Sequence, residues 1–294
     1  MNIGVAGLGA MGANIAARLI EVGHTVTVWN RSPEKAKPLG AAGATIASSP
    51  ADLATKCDAV ISILTDGAAI DEVYNGPKGL LSGDVKGKLF IEMSTVPPKI
   101  ETDLATKVRA KGGSLVECPV GGSTAPARQG KLLGLMGAEP ADAARAKPVL
   151  DQLTRRLEHC GPVGSGAAMK LAINLPLMVA WQAYGEAFAI ARSVGWEPKR
   201  LLDLFVDTNG ANPALKNRSE MIVTMLEGKD PGPTTFSIAN GAKDLRTMVA
   251  TGEALGADMR ATKATLSGFE DAVQKGQGGG DGSRMAVYWS GKKK

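Results

Sequence analysis

The sequence predicts an α/β fold: a doubly wound, mainly parallel sheet over residues 1–163, followed by an all-helical domain over 164–294. Three observations carry this. A short apolar strand at Asn2–Ala6 runs straight into Gly7-Leu8-Gly9-Ala10-Met11-Gly12 and then into a helix. Apolar runs of strand length then alternate with helical segments as far as Cys160. After Gly164 the alternation stops and helix follows helix.

The glycine hexamer is GxGxxG in a strand–turn–helix setting, the fingerprint of a Rossmann dinucleotide-binding unit. Gly7 serves the tight turn, Gly9 lets backbone approach a pyrophosphate, and Gly12 lets helix pack closely. The N–H groups of Leu8, Ala10 and Met11 then face phosphate oxygens at the helix start. A second strand at 25–29 leads to Asn30-Arg31-Ser32-Pro33, with no acidic residue at 29–32. An acid there binds the ribose hydroxyls of NAD, whereas a guanidinium, a hydroxyl and the Asn30 amide suit the 2′-phosphate of NADP. NADP is therefore expected, with NAD possible; the bland alternative is an exposed turn arginine.

Further elements follow in order. A helix at 33–42, a strand at 45–46 and a helix at 49–56 precede the buried strand 59–64, which ends in Thr65-Asp66-Gly67 and a helix toward Tyr74. The strand 89–93 ends in Ser94-Thr95-Val96-Pro97-Pro98 and opens a helix at 99–111. Later strands fall at 114–118, 132–136 and 157–160. Ligands of doubly wound sheets sit at the carboxyl ends of strands, which singles out Leu64, Thr65, Ser94, Thr95 and the loop 117–126. In that loop Gly121 and Gly122 expose backbone N–H groups beside Ser123 and Thr124, a concavity fit for a small carboxylate or simply a flexible connection.

In the second half, a long helix at 167–194 contains Pro176, so a kink is expected at 172–176. Helices follow from Pro198 and at 213–226, 237–255 and 262–275, then a Gly-rich loop at 277–282 and a lysine tail expected to be disordered. The long helix opens with Gly164-Ser165-Gly166, and Lys170 and Asn174 lie one turn apart on one of its faces. The pair falls where the α/β half hands over to the helical half. Lys243-Asp244, by itself, reads as an exposed ion pair of little worth.

Composition narrows the function. Apolar residues make up 44% and charged residues 21%, as in ordinary globular proteins. Three of the five net positive charges come from Lys292, Lys293 and Lys294, leaving +2 on the body, which with 4% aromatics argues against a nucleic-acid partner. Three cysteines without CxxC and two histidines outside any triad signal no disulfide framework, no metal site and no histidine catalysis. No run is long enough to span a membrane and no targeting segment is visible, so a cytoplasmic protein is expected.

Taken together these motifs resemble the β-hydroxyacid dehydrogenase family, which includes 3-hydroxyisobutyrate dehydrogenases, tartronate semialdehyde reductases and glyoxylate/succinic semialdehyde reductases. The likeness runs along nearly the whole chain: Gly7–Gly12 as the GLGxMG loop, Ser94-Thr95 as a strand-end contact, residues 164–174 as GxGxxxKxxxN, and Lys243-Asp244 as the late KD pair. It implies Lys170 as the catalytic acid/base and Asn174 as its partner in aligning substrate. It places Thr95 and Lys243 at the cofactor, and Ser94, Gly121, Gly122, Ser123 and Asp244 at the substrate. One departure stands out: the family's loop reads D-x-P-V-S-G-G, and this chain has Gly121 where the serine belongs.

The implied reaction is hydride transfer between NADP(H) and a small aldehyde-acid or β-hydroxyacid such as glyoxylate or succinic semialdehyde, with no metal. Asn30-Arg31-Ser32 resembles the NADP-using branch. The rivals are an NAD-linked 3-hydroxyisobutyrate-type dehydrogenase, a tartronate semialdehyde reductase, and a non-catalytic NADP-binding redox sensor. The apolar run 171–190 leads us to expect a homodimer or homotetramer.

Overall fold

The computed structural model describes residues 1–290; the expectation of a disordered lysine tail rests on 292–294, outside the described residues. The chain divides into two compact units, Met1–Leu171 and Ala172–Lys294.

The first unit holds strands β1 (Asn2–Ala6), β2 (Thr25–Trp29), β3 (Thr45–Ile46), β4 (Ala59–Ser62), β5 (Leu89–Glu92), β6 (Ser114–Glu117), β7 (Val120–Gly121), β8 (Leu132–Gly137) and β9 (Thr154–Gly161). Between them lie helices α1 (Ala10–Glu21), α2 (Lys37–Ala41), α3 (Pro50–Lys56), α4 (Gly67–Asn75), α5 (Pro98–Ala110), α6 (Thr124–Gln129) and α7 (Pro140–Leu150). Strand order is β3-β2-β1-β4-β5-β6-β8-β7, with β9 beside β8. The first six strands are parallel, as the βα rhythm implies.

Because strand side chains alternate, each buried strand feeds two cores. Ile3, Val5, Ala59, Ile61, Leu89, Ile91 and Val116 point to one face and pack with Ile15, Leu19, Ala146 and Leu150 from α1 and α7. Val60, Phe90 and Leu115 point to the other, where Leu53, Ile70, Val73, Tyr74, Leu104 and Val108 from α3, α4 and α5 meet them. At roughly 25 cal/mol per Å² of apolar area these faces dominate the stability of the unit.

Several local expectations are corrected. The segment 117–126 is ordered: β7 pairs antiparallel with β8, and α6 follows at once. β8 is also antiparallel to β6, so only part of the sheet obeys the parallel rule. α7 was not anticipated, since its Ala-rich sequence with an internal Pro148 carries little amphipathic signal. The 33–42 helix begins as a 3₁₀ turn, Pro33–Ala36.

α8 (Ser165–Ala191) starts in the first unit and continues into the second without interruption at Pro176. The second unit adds α9 (Pro198–Val206), α10 (Pro213–Leu226), α11 (Ile238–Ala254), α12 (Arg260–Ala272) and α13 (Met285–Tyr288). Its core carries an aromatic chain, Trp181–Tyr184–Phe188–Phe205, with neighbouring ring centroids 4.9 to 6.3 Å apart. Asn212 caps α10 by accepting from the Leu215 N–H. The Gly-rich segment is a cap rather than a loose loop: the carbonyls of Gly280 and Gly278 accept from the N–H groups of Ile238 and Ala239 at the start of α11. Among the described residues no helix is long and apolar enough to cross a membrane.

Candidate active site

The dinucleotide loop shows a separate physical reason for each glycine. Gly7 has φ +94, and a Cβ there would lie 2.3 Å from the Ile63 carbonyl oxygen. A Cβ on Gly12 would lie 1.9 Å from the Gly7 carbonyl oxygen, so the first turn of α1 packs on the loop itself. A Cβ on Gly9 would meet nothing within 4 Å. Gly9 is therefore not required by packing, and what it keeps clear is an open cradle. Gly9 is also the N-cap of α1, whose first turn carries no acidic residue, so the positive end of the helix is left for an anion. Ala10 is exposed and Met11 half-buried beside it, while Leu8 is buried. These features fit the pyrophosphate of a dinucleotide.

Asn30 ties this loop to the end of β2. Its Oδ1 accepts from the Leu8 N–H at 2.8 Å, and its Nδ2 donates to the Ser32 carbonyl at 3.0 Å. The Asn30 amide and the Leu8 N–H, both expected to meet phosphate, are thus engaged with each other in shaping the turn, which leaves the N–H groups of Ala10 and Met11 for that role. Arg31 is exposed, with Glu72 of α4 3.5 Å away; such a solvated pair is worth little and leaves the guanidinium able to turn toward a ligand. Ser32 precedes the 3₁₀ turn without a side-chain capping bond.

At the ends of β4, β5 and β6 lies a feature the sequence reading missed. Ser62 pairs in register with Glu92, and Glu92 with Glu117, forming a buried polar row across three apolar strands. The signal was visible: AVIS, LFIE and SLVE each end an apolar run with one polar residue just before a ligand-facing loop. Ser94 belongs to this row. Its hydroxyl donates to a Glu92 oxygen and accepts from the Leu64 N–H at 2.7 Å, while its own N–H donates to Glu92 at 2.7 Å. At 2% exposure Ser94 holds the β4 and β5 loops together from below, and the residues left at the rim are Thr65, exposed, and Thr95, half-buried. Glu101 of α5 is buried against Glu92; burial and that neighbouring carboxylate push it well above the usual carboxylate range.

Around β7, Gly122 has φ +127, which only glycine adopts without strain. Gly121 differs: a Cβ there would meet Leu133 at 3.5 Å, an ordinary contact, so packing does not exclude the family's serine. Ser123 precedes α6 with its hydroxyl making no capping bond.

Lys170 is 7% exposed on the second turn of α8, and half-buried Asn174 follows one turn later. The opening of α8 explains the glycine spacing. Gly164 has φ +102, and a Cβ on Gly166 would lie 2.2 Å from the Leu135 carbonyl oxygen. On α11, Lys243 Nζ lies 2.9 Å from Asp244 Oδ1, the two side chains 30% and 3% exposed. The pair is more enclosed than an ordinary surface couple, and the cost of desolvating both charges offsets much of their attraction.

A family model for the NAD binding domain of 6-phosphogluconate dehydrogenase matches residues 2–161. A second, described as NAD-binding of NADP-dependent 3-hydroxyisobutyrate dehydrogenase, matches residues 164–289. The chain is 32% identical over 278 residues to glyoxylate/succinic semialdehyde reductase 1 of Arabidopsis thaliana, covering 95% of this chain and 94% of that protein. It is 33% identical over 208 residues to the mitochondrial 3-hydroxyisobutyrate dehydrogenase of Rattus norvegicus, covering 71% and 62%. The solved 3-hydroxyisobutyrate dehydrogenase of Mycobacterium tuberculosis with L-serine is similar at a TM-score of 0.85 and 25% identity, over 98% of both chains. By the dinucleotide loop, the glycine-opened α8 and these matches, the chain belongs to the β-hydroxyacid dehydrogenase family and is an NAD(P)-dependent oxidoreductase.

Proposed function

We propose that the protein reduces a small aldehyde-acid of the glyoxylate or succinic semialdehyde type with NADPH, Lys170 acting as general acid and, in reverse, as general base. The observation that carries this is an almost fully buried lysine one turn from an asparagine, on a helix whose start is held by special glycines. When bound, NADPH supplies the hydride from C4 of its nicotinamide to the carbonyl carbon. The Lys170 ammonium polarises the carbonyl oxygen and gives it a proton as negative charge develops there. Asn174 fixes the direction of that hydrogen bond. Thr95, Ser123 and the N–H groups of Gly121 and Gly122 hold the carboxylate end, and Asp244 supports Lys243. Leu64, Thr65 and Lys243 contact the cofactor, and Arg31 with Ser32 selects the 2′-phosphate.

Lys170→Ala is expected to lower kcat by at least ~10²-fold, the usual worth of general acid catalysis, with NADPH affinity unchanged. Turnover retained in that variant removes Lys170 from the mechanism. A panel of glyoxylate, succinic semialdehyde, tartronate semialdehyde and methylmalonate semialdehyde, each with NADPH and NADH, tests substrate and cofactor together. A clear NADH preference with the last of these favours the NAD-linked 3-hydroxyisobutyrate reading, which the similarity to the rat enzyme supports. The same reading takes the protein as cytoplasmic and as a homodimer or homotetramer. Ile190, Val194 and Leu204 are 78%, 57% and 50% exposed, an apolar surface suited to a second copy, and light scattering that returned a monomer mass would refute it.

A further inference from the structure

We propose that Glu117 is a positioning residue for Lys170: its buried carboxylate sets where α8 begins, and through α8 where the lysine stands. The proposal rests on the role given to Lys170 above. Glu117 Oε1 accepts from the Gly164 N–H at 2.6 Å and the Gly166 N–H at 2.8 Å, and Oε2 accepts from the Ala167 N–H at 3.2 Å. The Ser165 N–H goes to the Pro162 carbonyl, and the Ala168 N–H begins the helical ladder on Gly164. Every N–H from 164 to 168 is thereby satisfied, and three of the five depend on one side chain.

The fit is close on all sides. A Cβ on Gly137 would lie 2.1 Å from Glu117 Oε1, and one on Gly166 would strike the backbone of β8. The carboxylate thus packs closely on Gly137 of β8, and the helix start on the backbone of the same strand. Lys170 follows Ala167 by three residues, about 4.5 Å along the axis, so a displaced first turn displaces the ammonium with it.

The groups facing Glu117 are Glu92 of β5, Glu101 of α5, its neighbour Cys118, and Cys160 of β9. None supplies positive charge. Burial lifts Glu117 to about 7 against the three backbone bonds that lower it, with Glu92 adding to the rise. Opening the helix start returns Glu117 to water, where it ionises more readily, so the closed start is favoured below neutrality and loosened as pH rises through about 7.

The test uses full-length Glu117→Gln, Glu117→Asp and Lys170→Ala. Glu117→Gln keeps an acceptor oxygen but turns an NH2 toward backbone N–H groups. It is expected to lower kcat by about 10- to 10²-fold, the effect of an ångström-scale misplacement, and to leave KM for NADPH unchanged. Hydrogen exchange across 164–170 should quicken while β1 and β4 keep their protection. Glu117→Asp, which retains the charge, should recover part of kcat. Wild-type kcat, or unchanged exchange at 164–170, overturns the proposal. If Glu117→Gln does not fold, protection of 164–170 in the wild-type protein decides: a fall as pH rises through about 7 supports the proposal and a flat profile overturns it. Lys170→Ala with retained turnover defeats the assignment of Lys170 alone, because the exchange result for Glu117→Gln stands independently of it.

Discussion

Glu117 also makes a prediction about stability whose sign runs against habit. A carboxyl that titrates near 4.5 in an unfolded chain and at about 7 in the folded one is protonated in the folded state over a range where the unfolded state has released its proton. The native protein binds more protons there, so its stability falls as pH rises from about 4.5 to about 7. At about 1.4 kcal/mol per tenfold in acidity, the loss is ~3 kcal/mol. Burial raises Glu92 and Glu101 as well, so the buried row as a whole acts in one direction. Glu21, Asp52 and Asp71 are held low by partners at the surface, and their contributions are lost only in stronger acid, outside this window. Equilibrium urea unfolding at pH 5, 6, 7 and 8 should show wild-type stability declining across the series. Glu117→Gln removes one titrating group, and its decline should be shallower by about 3 kcal/mol over the window. Parallel curves for the two proteins would refute the reasoning, since Glu117 would then be no harder to ionise in the fold than in the open chain.

Four further substitutions separate the roles of individual site residues. Gly12→Ala places a Cβ 1.9 Å from the Gly7 carbonyl oxygen and should destabilise the fold by more than ~2 kcal/mol, whereas Gly9→Ala meets nothing and should melt as wild type yet bind NADPH at least ~10-fold more weakly; thermal melts and cofactor titration check both. Arg31→Ala removes an exposed side chain and should change stability by less than ~0.5 kcal/mol, while raising KM for NADPH about 10-fold or more and leaving NADH unaffected; equal effects on the two cofactors would overturn the 2′-phosphate assignment. Gly121→Ser has room for its Cβ at 3.5 Å from Leu133 and should fold within ~1 kcal/mol of wild type, with kcat/KM shifted among the four aldehyde-acids; an unchanged ranking would show that residue 121 does not touch substrate.

What the sequence made legible divides along physical lines. Regular alternation and local glycine chemistry were readable, because a strand buried on both faces and a turn that tolerates no Cβ each leave a local mark. β1, β2, β4 and β5 and the roles of Gly7 and Gly12 were found on that basis. Non-local pairing was not. β7 spans two residues and exists only because β8 lies beside it, and α7 has too weak a periodicity to announce itself. Asn30 and Ser94 were legible as strand-end polar groups, but not that their hydrogen-bonding atoms are turned inward onto Leu8, Ser32, Leu64 and Glu92.

Glu117 shows where that boundary lies. Read along the chain it is one acid in a glycine loop, and Gly164 with Gly166 is a permissive helix entry 47 residues later. Only folding brings the charge to the helix start, and then the two features explain each other. Gly164 is needed for its φ of +102, and Gly166 because the backbone of β8 occupies the space a side chain would fill. The carboxylate tolerates burial because three N–H groups converge on it. Each half of the arrangement would be a liability alone: an unpaired buried acid, or a helix start with unsatisfied donors. Their joint presence, immediately before a buried lysine, is therefore better explained by a requirement on the position of that lysine than by the stability of the sheet. An apolar residue at 117 with an ordinary capped helix would have served the sheet equally well.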